Sequence, residues 1–246
     1  MSRLEVTIPT PDGECAGTLH TPDVAEARPA VILFPDAGGA RETFRVMADR
    51  LAGLGYVVLL PDVYYRHGGY EPFSMDTVFS DDGERARLMS LVRGLTAEMK
   101  IRDAGAFLDF LAGRPEVSGT VGTTGYCMGG GYSLLAAGGH PERITAAASF
   151  HGGNLAVADD PDSPHRLADH IRATVHVAAA QDDSAFPADQ FERLDQALTG
   201  AGVAHTIETY PAAHGFAVPD NPTHDPAADE RHWRALAELY SSSLAR

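Results

Sequence analysis

The chain has 246 residues, 44% hydrophobic and 22% charged, enough for one large α/β domain, 1–246, with a well-buried core. Acidic residues outnumber basic ones 34 to 19, a net charge of −15, which argues against nucleic acid or an anionic membrane as partner. The N-terminus lacks the apolar core of a signal peptide, and no apolar run approaches the roughly 18 residues that span a bilayer, so a cytoplasmic protein is expected.

Leu4 to Ile8 alternates apolar and polar residues and predicts a half-buried strand. Thr10-Pro11-Asp12-Gly13 reads as a turn, and Glu14 to His20 as the returning strand. Ala30 to Phe34 is a short continuous apolar run, as in a strand buried on both faces. After the Pro35-Asp36-Ala37-Gly38-Gly39 loop, Phe44, Ala48 and Leu51 fall at helical spacing, and Gly55 ends that helix. Tyr56 to Leu60 is the next strand, which makes a right-handed parallel unit. Tyr64 to Asp82 has no clean period and reads as a long loop or cap segment. Thr96 can cap a helix whose stripe is Ala104, Phe107, Leu108 and Leu111. Further strands are expected at Gly119–Thr124, Ile144–Phe150, Thr174–Ala180 and Thr206–Tyr210. Helices are expected through Tyr132–Ala137, through Phe191, Leu194 and Leu198, and through Trp233, Leu236 and Tyr240. Strands alternating with helices predict a doubly wound, mostly parallel α/β sheet.

In such a sheet, reactive groups collect at the carboxyl ends of the strands. Four loops there carry them, at Asp36, Cys127, Asp183 and His214. Gly125-Tyr126-Cys127-Met128-Gly129 lies between a strand and a helix, the setting of a nucleophile elbow. Glycines two before and two after the tip leave room for the sharp turn, and the helix N-terminus favours a thiolate. The chain order nucleophile, acid, histidine is that of an α/β-hydrolase triad. The other cysteine, Cys15, reads as structural. The pair shows no metal-ligand spacing, and a reducing compartment is the simpler setting.

These residues resemble the dienelactone hydrolase (carboxymethylenebutenolidase) family of α/β-hydrolases. The resemblance runs from about Val6 to Tyr240 and rests on Phe34 to Gly39, Gly55 to Tyr64, Gly125 to Gly130, Asp183 to Pro187 and Tyr210 to Phe216. It implies an α/β-hydrolase fold and a Cys127-His214-Asp183 triad. It also implies Asp36, in place of the family's Glu, as a carboxylate contacting the resting thiol. Arg85 falls where the family holds a substrate carboxylate, and Arg87 competes with it for that register. Val218 stands where a second arginine is expected, and Met89 where a tyrosine is, so neutral or weakly charged lactones and esters are the expected substrates. The backbone N–H groups of Ala37 and Met128 are the expected oxyanion donors, and His151 and Tyr64 are candidate pocket residues. No metal or organic cofactor is implied, and the chain is expected to be a monomer or small homo-oligomer. Two alternatives are a redox-sensing thiol protein and a ligand-binding homologue without turnover.

Overall fold

The computed structural model describes residues 1–244. Its strands are β1 (Ser2–Thr10), β2 (Gly13–Thr21), β3 (Arg28–Phe34), β4 (Val57–Pro61), β5 (Val117–Tyr126), β6 (Ile144–Phe150), β7 (Thr174–Ala180) and β8 (His205–Tyr210). They form one sheet in the order β1-β2-β4-β3-β5-β6-β7-β8. The β1–β2 and β2–β4 pairs are antiparallel, and every pair from β4–β3 to β7–β8 is parallel. The mostly parallel α/β class expected from the sequence is the one observed.

The helices are α1 (Glu42–Gly53), α2 (Asp82–Gly94), α3 (Ala97–Ala112), α4 (Met128–Gly139), α5 (Ala188–Gly200) and α6 (Pro226–Ser243). They cover both faces because successive strand residues point to opposite sides. On β3, Ala30, Ile32 and Phe34 pack with residues of α2, α3, α4 and α5, while Val31 and Leu33 pack with residues of α1 and α6. Phe34 stacks on Tyr132 of α4 with ring centroids 4.0 Å apart, which fixes α4 against the centre of the sheet. Burying each such ring contributes about 1.5–3 kcal/mol.

Thr96 caps α3 as expected, its hydroxyl accepting from the Met99 N–H. Helix α2 has no counterpart in the periodicity reading, since its buried residues are only Leu88 and Leu91. Its start is nevertheless written in the chain. The Asp81 carboxylate accepts from the Glu84 N–H at 2.9 Å, an aspartate N-cap followed three residues later by Glu. His165 and His232 are buried. Tyr126 Oη lies 3.1 Å from His232 Nε2 beneath the sheet. Among the described residues no helix is long and apolar enough to cross a membrane, and no group of three or more His, Cys, Asp or Glu is placed to hold a metal ion.

Candidate active site

Cys127 forms the turn between β5 and α4. Cys127 has φ 53°, a left-handed conformation that costs an L-residue energy and is held by its surroundings. Its N–H donates to Phe150 O on β6 at 3.1 Å, and its carbonyl accepts from the Gly130 N–H at 3.0 Å. A Cβ on Gly125 would run into the Gly129 carbonyl, and one on Gly129 into the carbonyls of Phe34 and Pro35. Both glycines are therefore required by close backbone approach. Met128 begins α4, so its N–H is one that no helical carbonyl takes.

The loop after β7 delivers Asp183, and the loop after β8 delivers His214. Gln181 N–H donates to Ala212 O at 2.9 Å and ties the two loops together. Asp183 is nearly buried; one oxygen accepts from the Ala185 N–H at 2.8 Å and the other lies 2.6 Å from His214 Nδ1. Burial pushes the Asp183 pKa up, but its hydrogen bonds to His214 and Ala185 prevail and hold it below the usual carboxylate value. For His214, burial works against the charge, yet the pull of Asp183 and then of the Cys127 sulfur raises it to about 10. With Nδ1 occupied by Asp183, Nε2 is the nitrogen left for the thiol. Neighbouring Asp182 is exposed and takes no part in this contact.

Cys127, His214, Ala37 and Met128 line one cavity of about 610 Å³. A chain that ends its strands on a nucleophile elbow, a carboxylate and a histidine in this geometry has relatives to compare. Residues 15–244 match the model of the dienelactone hydrolase family. The chain belongs to that family. It is 27% identical over 250 residues to a Synechocystis sp. protein provisionally named carboxymethylenebutenolidase, covering 97% of this chain and 96% of that one. It is 26% identical to a Rhodococcus opacus carboxymethylenebutenolidase, covering 96% of this chain and 89% of that one. Among solved structures it resembles a dienelactone hydrolase-like promiscuous phosphotriesterase from metagenomic libraries, at 27% identity, full coverage of both chains and a TM-score of 0.81. The protein is a dienelactone hydrolase-like hydrolase.

Several residues that the family resemblance brings toward the pocket lie elsewhere. The Asp36 carboxylate does not meet the thiol. It accepts from the Gly38 N–H at 2.9 Å and from Arg41 at 2.6 and 2.9 Å, and Arg41 in turn grips Asp220 at 2.7 and 2.8 Å. Asp is shorter than the family's Glu and sits two residues before Gly38, the spacing of an Asx turn, so it closes on its own loop. The Asp36–Arg41–Asp220 chain joins the loop carrying Ala37 to the segment that follows His214.

Arg85 is exposed and pairs with Asp82 at 3.0 Å. Arg87 pairs with Glu84 and lies over the Phe73 ring. Neither lines the cavity, because α2 turns Arg85 and Arg87 outward and presents Leu88, Met89, Val92 and Arg93 instead. Met89, at the family's tyrosine position, is thus a wall residue. Val218 is buried in the core away from the cavity wall.

Tyr64 is buried rather than pocket-lining. Its hydroxyl lies 2.9 Å from Ala37 O and 3.4 Å from Met128 Sδ, so one side chain braces both candidate oxyanion donors. His151 is buried behind His214, with ring centroids 5.2 Å apart and Phe216 on another side at 5.0 Å. Burial first, then the charges of His214 and His232, hold its pKa well below the ordinary value, so it stays neutral. It packs against the His214 ring and is not among the residues that line the cavity. The sequence reading passed over Arg41, which a carboxylate at i−5 across a Gly-Gly turn could have flagged, and Lys100, whose place depends on how α3 meets α4.

Proposed function

We propose that the protein hydrolyses an ester or lactone of a small carbonyl compound through Cys127, His214 and Asp183, by way of a thioester. The Cys127 thiolate attacks the acyl carbon while His214 is protonated. The oxyanion sits on the N–H groups of Ala37 and Met128, each worth about 3–4 kcal/mol in such sites. As the C–O bond breaks, His214 gives its proton to the departing oxygen and leaves the acyl group on sulfur. Water then attacks the thioester, His214 takes one of its protons, and the returning sulfur releases the acid. Asp183 holds the imidazole in one tautomer throughout.

The observation that carries this reading is the 2.6 Å Asp183–His214 contact behind a cavity that exposes the elbow cysteine. The redox alternative is weakened by the position of Cys15, whose thiol is buried against the Asp62 carbonyl and lines no part of the cavity. Two unpaired cysteines also suit the reducing cytoplasmic setting proposed for the protein. Replacing Cys127 by Ala tests the reading. Hydrolysis of p-nitrophenyl acetate should fall about a thousandfold or more while the melting temperature holds. Turnover at the wild-type rate would remove Cys127 from the chemistry.

A further inference from the structure

This inference rests on the hydrolase reading and names the kind of substrate the cavity takes. Cys127, Gly131 and Leu135 line one wall, four residues apart on a single face of α4. At 1.5 Å per residue, the eight positions from Cys127 to Leu135 carry the cavity about 12 Å down the helix. A Cβ on Gly131 would meet nothing nearer than 3.7 Å, unlike one on Gly125 or Gly129. Gly131 therefore keeps the groove open rather than relieving a clash. Leu88, Val92 and Leu95 make an apolar wall.

Lys100 closes the far end. It is the only lysine in the chain. Its neighbour Ile101 fixes its place: the Ile101 carbonyl lies 2.7 Å from His140 Nε2, and the Ile101 side chain packs on Gly139, both at the C-terminal end of α4. Cys127 stands at the opposite end of the same helix. Among the described residues the Lys100 ammonium has no hydrogen bond or ion pair; Asp160 acts on it only through space. It also lies in the first turn of α3, where the helix dipole disfavours a cation. An unpaired ammonium in that position is stabilised by an anion arriving from outside.

We propose that Lys100 anchors an anionic group at the far end of an apolar arm, so that the esters and lactones cleaved are elongated, with a carboxylate about two helical turns from the scissile carbonyl. Burial brings the Lys100 pKa down to about 8, with Asp160 pushing the other way, so the ammonium is present at neutral pH and is lost above it. The other charged or titratable groups on this cavity are Asp160, Asp162, Arg93, His214 and Cys127. Of these, Arg93 also attracts an anionic tail and Asp160 and Asp162 repel it, so the Lys100→Met comparison is what isolates Lys100.

Mono-p-nitrophenyl suberate, compared with p-nitrophenyl octanoate and mono-p-nitrophenyl succinate, tests this. In wild type the suberate should have the lowest KM. In Lys100→Met the suberate-to-octanoate ratio of kcat/KM should drop about tenfold, the loss of one charge-assisted contact. In wild type the same ratio should fall as pH rises through about 8. An unchanged ratio in Lys100→Met, or a preference for an amine-ended chain, would overturn the proposal. A second arm does not need turnover. In Cys127→Ala, monomethyl suberate should slow modification of Lys100 by trinitrobenzenesulfonate, and methyl octanoate should not. Protection without turnover in wild type would count against the hydrolase reading alone, and turnover without protection against the anchor alone.

Discussion

At the Cys127 end of the cavity the working parts are held by backbone. Gly125, Gly129 and Phe34 approach so closely that no other residue fits at either glycine, and the Asp183–His214 contact joins two loops already tied by Gln181 and Ala212. At the Lys100 end the wall is side chain. Leu88, Met89 and Val92 come from a helix that buries only two residues deeply, and Phe79 is exposed at the rim. In the proposed reading one end fixes the geometry in which a bond is broken, and the other selects what reaches it.

That contrast orders the expected effects. Asp183→Asn acts on the rigid end and should lower kcat by about 10⁴-fold, because His214 loses the partner that sets its tautomer. The His214 pKa should fall from about 10 toward its ordinary value, which an NMR titration would follow. If kcat and the titration both stay put, the acid has been misassigned.

Arg41→Met tests whether the loop brace is structural. It leaves the buried Asp36 carboxylate without its cation, so about 3–5 kcal/mol of stability should be lost. Asp36→Asn should likewise lower the melting temperature while leaving iodoacetamide alkylation of Cys127 within about twofold, since a carboxylate that meets only Gly38 and Arg41 has little hold on the thiol. A large change in alkylation with stability intact would restore Asp36 to the thiol. Smallest of all, Arg85→Ala should shift stability by no more than about 0.5 kcal/mol and leave kcat/KM unchanged.

The rigid end was the legible one. Cys127, Asp183 and His214 each follow a strand, and glycines at fixed offsets mark the elbow, so local pattern and chain order point to them. The fold was legible because β3, β6 and β7 are short, largely apolar runs separated by helical patterns. The other end depends on contacts between distant elements. Nothing near Lys100 in the chain tells that Ile101 will pack on Gly139, nor does the composition of α2 tell which of its faces meets the cavity. Asp36 was misread because its partner is settled by side-chain length: the shorter carboxylate closes on Gly38 and Arg41 of its own loop.

The most direct test of the account is to catch the acyl group. Wild-type protein mixed with p-nitrophenyl acetate and quenched in acid within its first turnovers should carry one added acetyl group by intact mass. Peptide mapping should place it on Cys127, and hydroxylamine should remove it as it does a thioester. His214→Ala should show little acylation. An acetyl group on another residue, or steady turnover with no acylated protein and no burst of p-nitrophenol, would contradict the thioester route.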